Sequence, residues 1–452
     1  MVSYQSRFLA ITLFASSPAP AATTVFDNDM GNGDLDIGEA DNWDSGLPTL
    51  TDVGCVGGSF STTYDRNGAA DLNARQIIFE GTASLNGGGA QLTDSIIILT
   101  EDSAWTADGT TRLGRNAGTE ANMSVLIQDD ATWTIGSGGN LQVGRNQVAI
   151  VNQSGGTVNV GNNVVVGSAD GGSGSSYTIS GGLLDVERDI QVKRSSTLTI
   201  SETDPINAPT TVDIVRNLDL EGTGSQITIS GGEVIVGQNI SVSSDNINIT
   251  QTGGTVKVTN NIQLNNGSGR EYRLQGGRLE VASRIIVGSN NVFVWESGGV
   301  LAVATGETFI DYRGDLTAGS GAELDLANNT QYLDVGGELI VNGLTINGYD
   351  LMLALQQEPE GGNRVEGSYL LIETNTFDTA DIDNITPIFT DSIGELIDRT
   401  QVGSINPTDT VFWIDNDGND IRLYYSIAPV PEPSTALIAM MGAGLLAMRR
   451  RR

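Results

Sequence analysis

Gly231-Gly232-Glu233-Val234-Ile235-Val236-Gly237-Gln238-Asn239-Ile240-Ser241-Val242 is followed, 22 residues on, by Gly253-Gly254-Thr255-Val256-Lys257-Val258-Thr259-Asn260-Asn261-Ile262-Gln263-Leu264. Both segments carry a Gly-Gly pair, an apolar-x-apolar triplet, an asparagine and a second apolar-x-apolar triplet. Strict alternation marks a strand with one buried face. Its return at a fixed interval of this length marks a solenoid, in which each repeat buries its apolar face only against its neighbours.

Gly-Gly pairs also begin at 138, 155, 181, 276 and 298. Counting from the first glycine, the residues at plus three and plus five are Leu141/Val143, Val158/Val160, Leu184/Val186, Val234/Val236, Val256/Val258, Leu279/Val281 and Leu301/Val303. A second pair at plus nine and plus eleven runs through Val164/Val166, Ile190/Val192, Ile240/Val242, Ile262/Leu264 and Ile285/Val287. A third closes the coil with Ile247/Ile249, Tyr272/Leu274 and Val292/Val294, which leaves Trp295 outward or under a loop. Pro209-Thr210 stands in for a missing Gly-Gly and brings Val212/Ile214 and Leu218/Leu220 into the same frame; Gly321-Ala322 does so for Leu324/Leu326.

Position plus eight holds Asn146, Asn163, Asp189, Asn217, Asn239, Asn261 and Asn329, with Arg284 the exception. Short amides at a corner tolerate left-handed backbone and bond from coil to coil, so a structural asparagine ladder is expected there. Upstream, Ala104-Trp105-Thr106 returns as Thr132-Trp133-Thr134, which predicts stacked indoles. The fold expected is all-β: a three-walled parallel β-helix over 74–344, about a dozen coils at ~4.8 Å each and so roughly 55 to 60 Å long. A small β-rich cap over 345–427 includes a hairpin turning at Asp417-Gly418.

The two ends read differently from the body. Arg7, the apolar stretch Phe8 to Ala15 and the small residues Ala19-Pro20-Ala21-Ala22 have the pattern of a signal peptide over 1–22. Val430-Pro431-Glu432-Pro433-Ser434 precedes an apolar run from Thr435 to Met448 and then Arg449, Arg450, Arg451 and Arg452. This arrangement resembles the PEP-CTERM sorting signal of Gram-negative bacteria, assigned here to 428–452, with the run expected to be a hydrophobic helix. The resemblance implies an exosortase as partner, cleavage near Pro431-Glu432-Pro433, transient anchoring in the inner membrane through the helix, and delivery to the cell surface or the exopolysaccharide matrix. Between signal peptide and solenoid, 23–73 contains a Gly-Asp-rich stretch and Asn42-Trp43-Asp44-Ser45-Gly46-Leu47-Pro48. It resembles the segment that opens autotransporter-like β-helical passenger domains, where it caps the first coil.

Charge and composition bound the function. The chain carries 55 acidic and 23 basic residues, a formal net charge of −32, and its body becomes more acidic still once the terminal arginines leave. Such a surface repels phosphate backbones, so no nucleic-acid partner is expected. Cys55 is the only cysteine, which leaves no internal disulfide, and histidine is absent altogether. Ser-His and Cys-His nucleophiles and His-ligated metals are thereby excluded.

Carboxylate glycosidases and arginine-based polysaccharide lyases survive that exclusion, and the pectate-lyase-like β-helix hosts both. The frame places Asp185 and Asp213 on adjacent coils, with Arg188 and Arg216 beside them and Asp189 and Asp219 nearby. In a lyase the acids would hold calcium against a uronate while an arginine abstracts the α-proton. The competing reading is a solvated Asp-Arg lattice, and it is favoured because pairing with aspartate works against an arginine base. No cofactor is expected. Calcium is the one ion the acidic loops admit, at Asp34 and Asp36, where Met30 spoils an EF-hand frame, or at Asp415 and Asp417, where the turn already accounts for the aspartates. Two functions stand: a non-enzymatic structural or adhesive β-solenoid at the surface or in the matrix, and a carbohydrate-active enzyme acting on acidic polysaccharide.

Overall fold

In the computed structural model the described residues are 96–347, except 108, 115–122, 169–171, 207, 265–266, 297 and 327–329, followed by 365–388, 395–396, 399–404 and 411–427. Six short strands upstream are described as backbone: Thr23–Val25, Val53–Val56, Ser61–Thr63, Gln76–Phe79, Ser84–Gly87 and Gln91–Leu92. The signal-peptide residues, Trp43, Asp34, Asp36, Asn329 and everything from Ala428 to Arg452 lie outside them.

The body is an all-β parallel solenoid. Its strands pair with their counterparts one turn on in three parallel ladders. The first runs, for example, Thr197–Ile200 to Gln226–Ile229 to Asn248–Gln251. The second runs Val212 to Val234 to Val256 to Leu279 to Leu301 to Leu324. The third runs Val164 to Ile190 to Leu218 to Ile240 to Ile262 to Ile285. About nine turns separate Met123 from Leu339. The upstream strands at 23–25, 53–56 and 76–79 pair on the first ladder as well.

The frame read from the glycines holds for most turns and slips at two. Leu141 pairs with Thr111 and Val164, and Val143 with Leu113 and Val166, in the third ladder rather than the second, so the corner residue of that turn is Asn140 and not Asn146. There the turn from first to second ladder is made by Asp129, with φ of 54°, and Gly138 turns the following corner. In the third pair the inward residues are Phe293 and Trp295, while Val292 is exposed. Trp295 is thus buried, its indole donating to Gly299 O at 2.8 Å. Asn291, which accepts from Arg270 N at 3.1 Å and donates to Leu264 O, anchors the strand one residue later than alternation from Leu274 suggests.

Two strands per turn often run together. Ala149–Val160, Ser176–Val186, Gln226–Val236, Ile247–Val258 and Arg270–Val281 each serve the first and second ladders and bend at Gly-Gly. The bend shifts the register, as between Gln251 and Thr255. Its second glycine has positive φ, 69° at Gly254, where an added Cβ would lie 2.5 Å from Gly232 O. A side chain there would break both the conformation and the contact between turns.

The core is a column of Val, Ile and Leu at 0 to 2% exposure. Trp105 and Trp133 are register partners stacked at 4.5 Å and 6°, and both are buried. Their indole Nε1 atoms have no hydrogen-bond partner among the described residues, whereas other polar groups inside are paired: Tyr177 donates to Gln153 Oε1 at 2.8 Å, and the same glutamine donates to Leu183 O at 2.9 Å. Tyr272, Gln251 and Arg278 O repeat the arrangement at 2.8 and 3.0 Å. Burial pushes both phenols far above their ordinary range, which keeps them protonated as donors.

The asparagine ladder is formed. Asn163 N donates to Asn140 Oδ1, Asp189 N to Asn163 Oδ1, and Asn217 N and Nδ2 to Asp189 Oδ1. Asn239 and Asn261 continue it, each giving N and Nδ2 to the oxygen of the residue before at 3.0 to 3.2 Å. It stops at Asn261, whose Oδ1 is buried and unpaired because Arg284 follows.

At the C-terminal side, 365–377 pairs parallel to the third ladder and antiparallel to 420–427, which closes the expected hairpin with Val411–Asp417. Gly418, at φ of 67°, makes its turn. Among the described residues the only helical elements are the 3-10 turns Thr379–Asn384 and Arg399–Ser404, and no helix is long and apolar enough to cross a membrane. The expected hydrophobic helix at Thr435 to Met448 falls outside these residues.

Two substitutions in one turn separate core from ladder. Val236→Asp buries a carboxylate with no partner and should cost more than about 3 kcal/mol. Asn239→Ala removes one rung and should cost about 1 to 2 kcal/mol. Urea unfolding of the two variants should rank them in that order, and equal midpoints would show the register to be wrong.

Candidate functional site

The charged residues singled out in the sequence lie where the second and third ladders meet. Asp185 and Asp213 are register partners on the second ladder and point outward. Arg188 and Arg216 follow at the corner, joined through the backbone by Arg216 N donating to Arg188 O at 2.9 Å. Asp189 is the ladder residue of that corner, only 6% exposed, and Asp219 points outward on the third ladder. The cluster therefore spans two faces rather than lining one cleft.

Its arginines are tied to neighbours one turn away. Arg188 Nη1 donates to Asn162 Oδ1 at 3.2 Å, and Arg216 Nε lies 3.8 Å from Asp189 Oδ1. Lys193 and Glu221 pair across the third ladder at 2.8 Å, Lys257 and Glu233 across the second at the same distance. Exposed pairs of this kind contribute about 0 to 1 kcal/mol each.

The acids repel one another. Partial burial, then Asp185 and Glu233, hold Asp213 above the usual carboxylate range. Burial, then Asp189 and Glu221, push Asp219 up to about 6, against the opposing pull of Lys193 and Arg216. Sequence reasoning places Asp189 and Asp219 near this cluster, but Asp189 looks there like another corner residue, and only the register shows its carboxylate replacing an amide next to Asp219.

Elsewhere, an open groove of about 370 Å³ runs along the Gly-Gly corner, floored by Gly155, Gly156 and Gly182 and walled by Asp130, Ala208 and Pro209. Neither arginine lines it. On the hairpin, Asp417 and Asp420 face Arg422 at 3.7 and 3.5 Å, and Asp415 lies 3.8 Å from Arg399. No group of three or more acids, histidines or cysteines poised for a metal occurs among the described residues. Trp105 and Trp133, buried as they are, offer no sugar platform. Trp413 stacks with Tyr424 across the hairpin at 5.6 Å and stays half-buried.

Residues 429–452 match the PEP-CTERM protein-sorting motif. That motif marks an exported protein, sorted to the cell envelope and processed by an exosortase. No curated protein and no solved structure matches the chain, so the autotransporter-like and pectate-lyase-like kinship gains no support from them.

Asp219 yields a pH prediction. Its folded pKa stands above the unfolded value, so the native state binds the extra proton between about pH 4 and about pH 6 and loses stability as pH rises through that window. Discounted for its partial exposure, the effect is about 1 kcal/mol. Asp219→Asn should leave stability near that of the parent at pH 4 and exceed it at pH 7.5, measured as paired thermal melts. A difference that stays constant across that range would contradict the assignment.

Proposed function

We propose that the chain is a structural or adhesive spacer: a three-walled β-solenoid carried to the surface or matrix of a Gram-negative cell and freed from the inner membrane by exosortase cleavage. In this reading 1–22 is the signal peptide, 23–73 and 345–427 cover the two ends of the stack, and 428–452 is removed. The observation that carries it is the sorting motif at 429–452 on a body of uniform turns. The motif supplies the route, and the turns supply a long surface with no stated chemistry. A role in polysaccharide lysis rests on Arg188, Arg216, Asp185 and Asp213; Arg188 bonded to Asn162 and Arg216 beside Asp189 disfavour an arginine base.

Expression in a host with an exosortase tests the proposal. Pro431 and Pro433 keep the cleavage region extended, and the arginines hold the C-terminus on the cytoplasmic side. Replacing Pro431-Glu432-Pro433 with alanines should trap full-length protein in the inner membrane, and replacing Arg449 to Arg452 with serines should release uncleaved protein. C-terminal mass spectrometry of the wild type at the surface should find a shortened chain; an intact Arg452 there would defeat the proposal. Double-bond formation from pectate or alginate with calcium, lost in Arg188→Ala or Arg216→Ala, would replace it with the lyase.

A further inference from the structure

The charges of this polyanion are divided unequally among its three ladders. The second ladder displays Asp185, Asp213, Glu233 and Lys257 outward, and the third Arg112, Lys193, Asp219 and Glu221. On the first, no outward strand position from Ile98 to Thr252 is charged; the stretch ends at Glu271 and Arg273, which pair with each other. Along its middle runs a column of register partners, Thr178, Thr199, Thr228 and Thr250, flanked by a second column of Ser176, Thr197, Gln226 and Asn248. With 78 charged residues in the chain, seven successive turns free of charge on one face are a feature of that face and not of the composition.

We infer that this face is the docking surface for an uncharged polysaccharide, which lies flat across the turns; the inference rests on the adhesive reading and names its ligand class. Three properties fit that ligand. The support is rigid: behind the column lie Tyr177, Ile179, Leu198, Ile200, Ile227 and Ile229, at 0 or 1% exposure. The surface is flat, because short side chains repeat at ~4.8 Å from turn to turn and about 6.6 Å along each strand. On the four turns of the threonine column its groups are donors and acceptors without charge, beyond the outward Ile98, Leu126 and Ile150 of the turns before, and the four threonine hydroxyls are not taken up by other described residues.

Charge selects the occupant. An acidic polymer would meet a protein of net charge −32 with nothing basic on the face to hold it. A second copy would bring two such polyanions side by side, with the acids of the flanking ladders opposed. A neutral glycan is a periodic array of hydroxyls that meets neither penalty and exchanges hydrogen bonds with water for hydrogen bonds with threonine and amide groups.

Purified full chain is mixed with insoluble cellulose, chitin or curdlan, and with calcium alginate beads, and the fraction retained is measured. Retention is expected on at least one neutral polymer, unchanged in 1 M salt, where exposed charge contacts are screened. Thr199→Glu with Thr228→Glu, and Thr199→Lys with Thr228→Lys, should each weaken it about tenfold, because either sign spoils a neutral contact. Lys257→Ala on the second ladder should not. Should the pairs fail to fold by circular dichroism, the exposed single change Gln226→Glu keeps the reading. Retention on alginate alone, a rise in binding with the lysine pair, no retention on any neutral polymer, or a dimer in light scattering that the glutamate pair dissolves would each overturn the inference. The assay does not depend on processing: failure here beside normal C-terminal cleavage leaves the spacer standing, and an intact Arg452 beside normal retention does the reverse.

Discussion

Register between successive turns is the constraint on which this structure depends. A parallel ladder satisfies its backbone groups only if each strand sits one strand-width above the last, and a slip of one residue turns every inward side chain out. The lone Cys55 provides no crosslink and the solenoid no second layer, so register has to come from the turns themselves. The corner supplies it. An asparagine whose oxygen receives both the backbone N–H and the amide of the next asparagine cannot be displaced along the chain without losing two bonds, and the three successive steps from Asp189 through Asn217 and Asn239 to Asn261 are indexed in this way.

The same constraint explains the inward polar pairs. Gln153 and Gln251 stand just before the Gly-Gly bend, where the register shifts, and each faces a carbonyl of the next turn, that of Leu183 or of Arg278. Each glutamine reaches that carbonyl and is itself held by a tyrosine one turn on. The bend is stabilised from inside by the amide and from outside by the absence of a Cβ.

Most of this was legible in Val234, Val236, Ile240 and Val242 and their counterparts, because alternation and period report the same geometry twice. The slips have a physical origin. Gly-Gly permits a sharp turn but does not say which corner it makes, and at Gly138 the corner is identified only by Asn140, which accepts from Asn163 N. At Val292 the alternation continues through Phe293 and Trp295 in either phase, and only Asn291 decides between them. For the site, sequence could place Asp185 over Asp213 and a corner between them and Asp219, but not the angle between the faces, which leaves no mark on the spacing. The sorting motif was the reverse case, readable as a string although its residues lie outside those described. The uncharged face was present in the sequence as well, scattered over seven turns, and becomes visible only when the turns are laid on one another.

Asn217, Asn239 and Asn261 are spaced by 22 residues each; the first two give and accept the same pair of bonds, and Asn261 gives it without accepting one. A turn bounded by two of them is therefore interchangeable with its neighbour: removing the segment between Asn217 and Asn239, or copying it, would set one asparagine against another with the ladder, the bend and the core column all realigned. The length of such a molecule is a quantity that gene duplication or slippage can change in whole steps, each ~4.8 Å tall, without inventing a new contact. Asn261 marks where that freedom ends. Beyond it Arg284 offers no matching amide, and an added turn would have to bring its own way of holding its place.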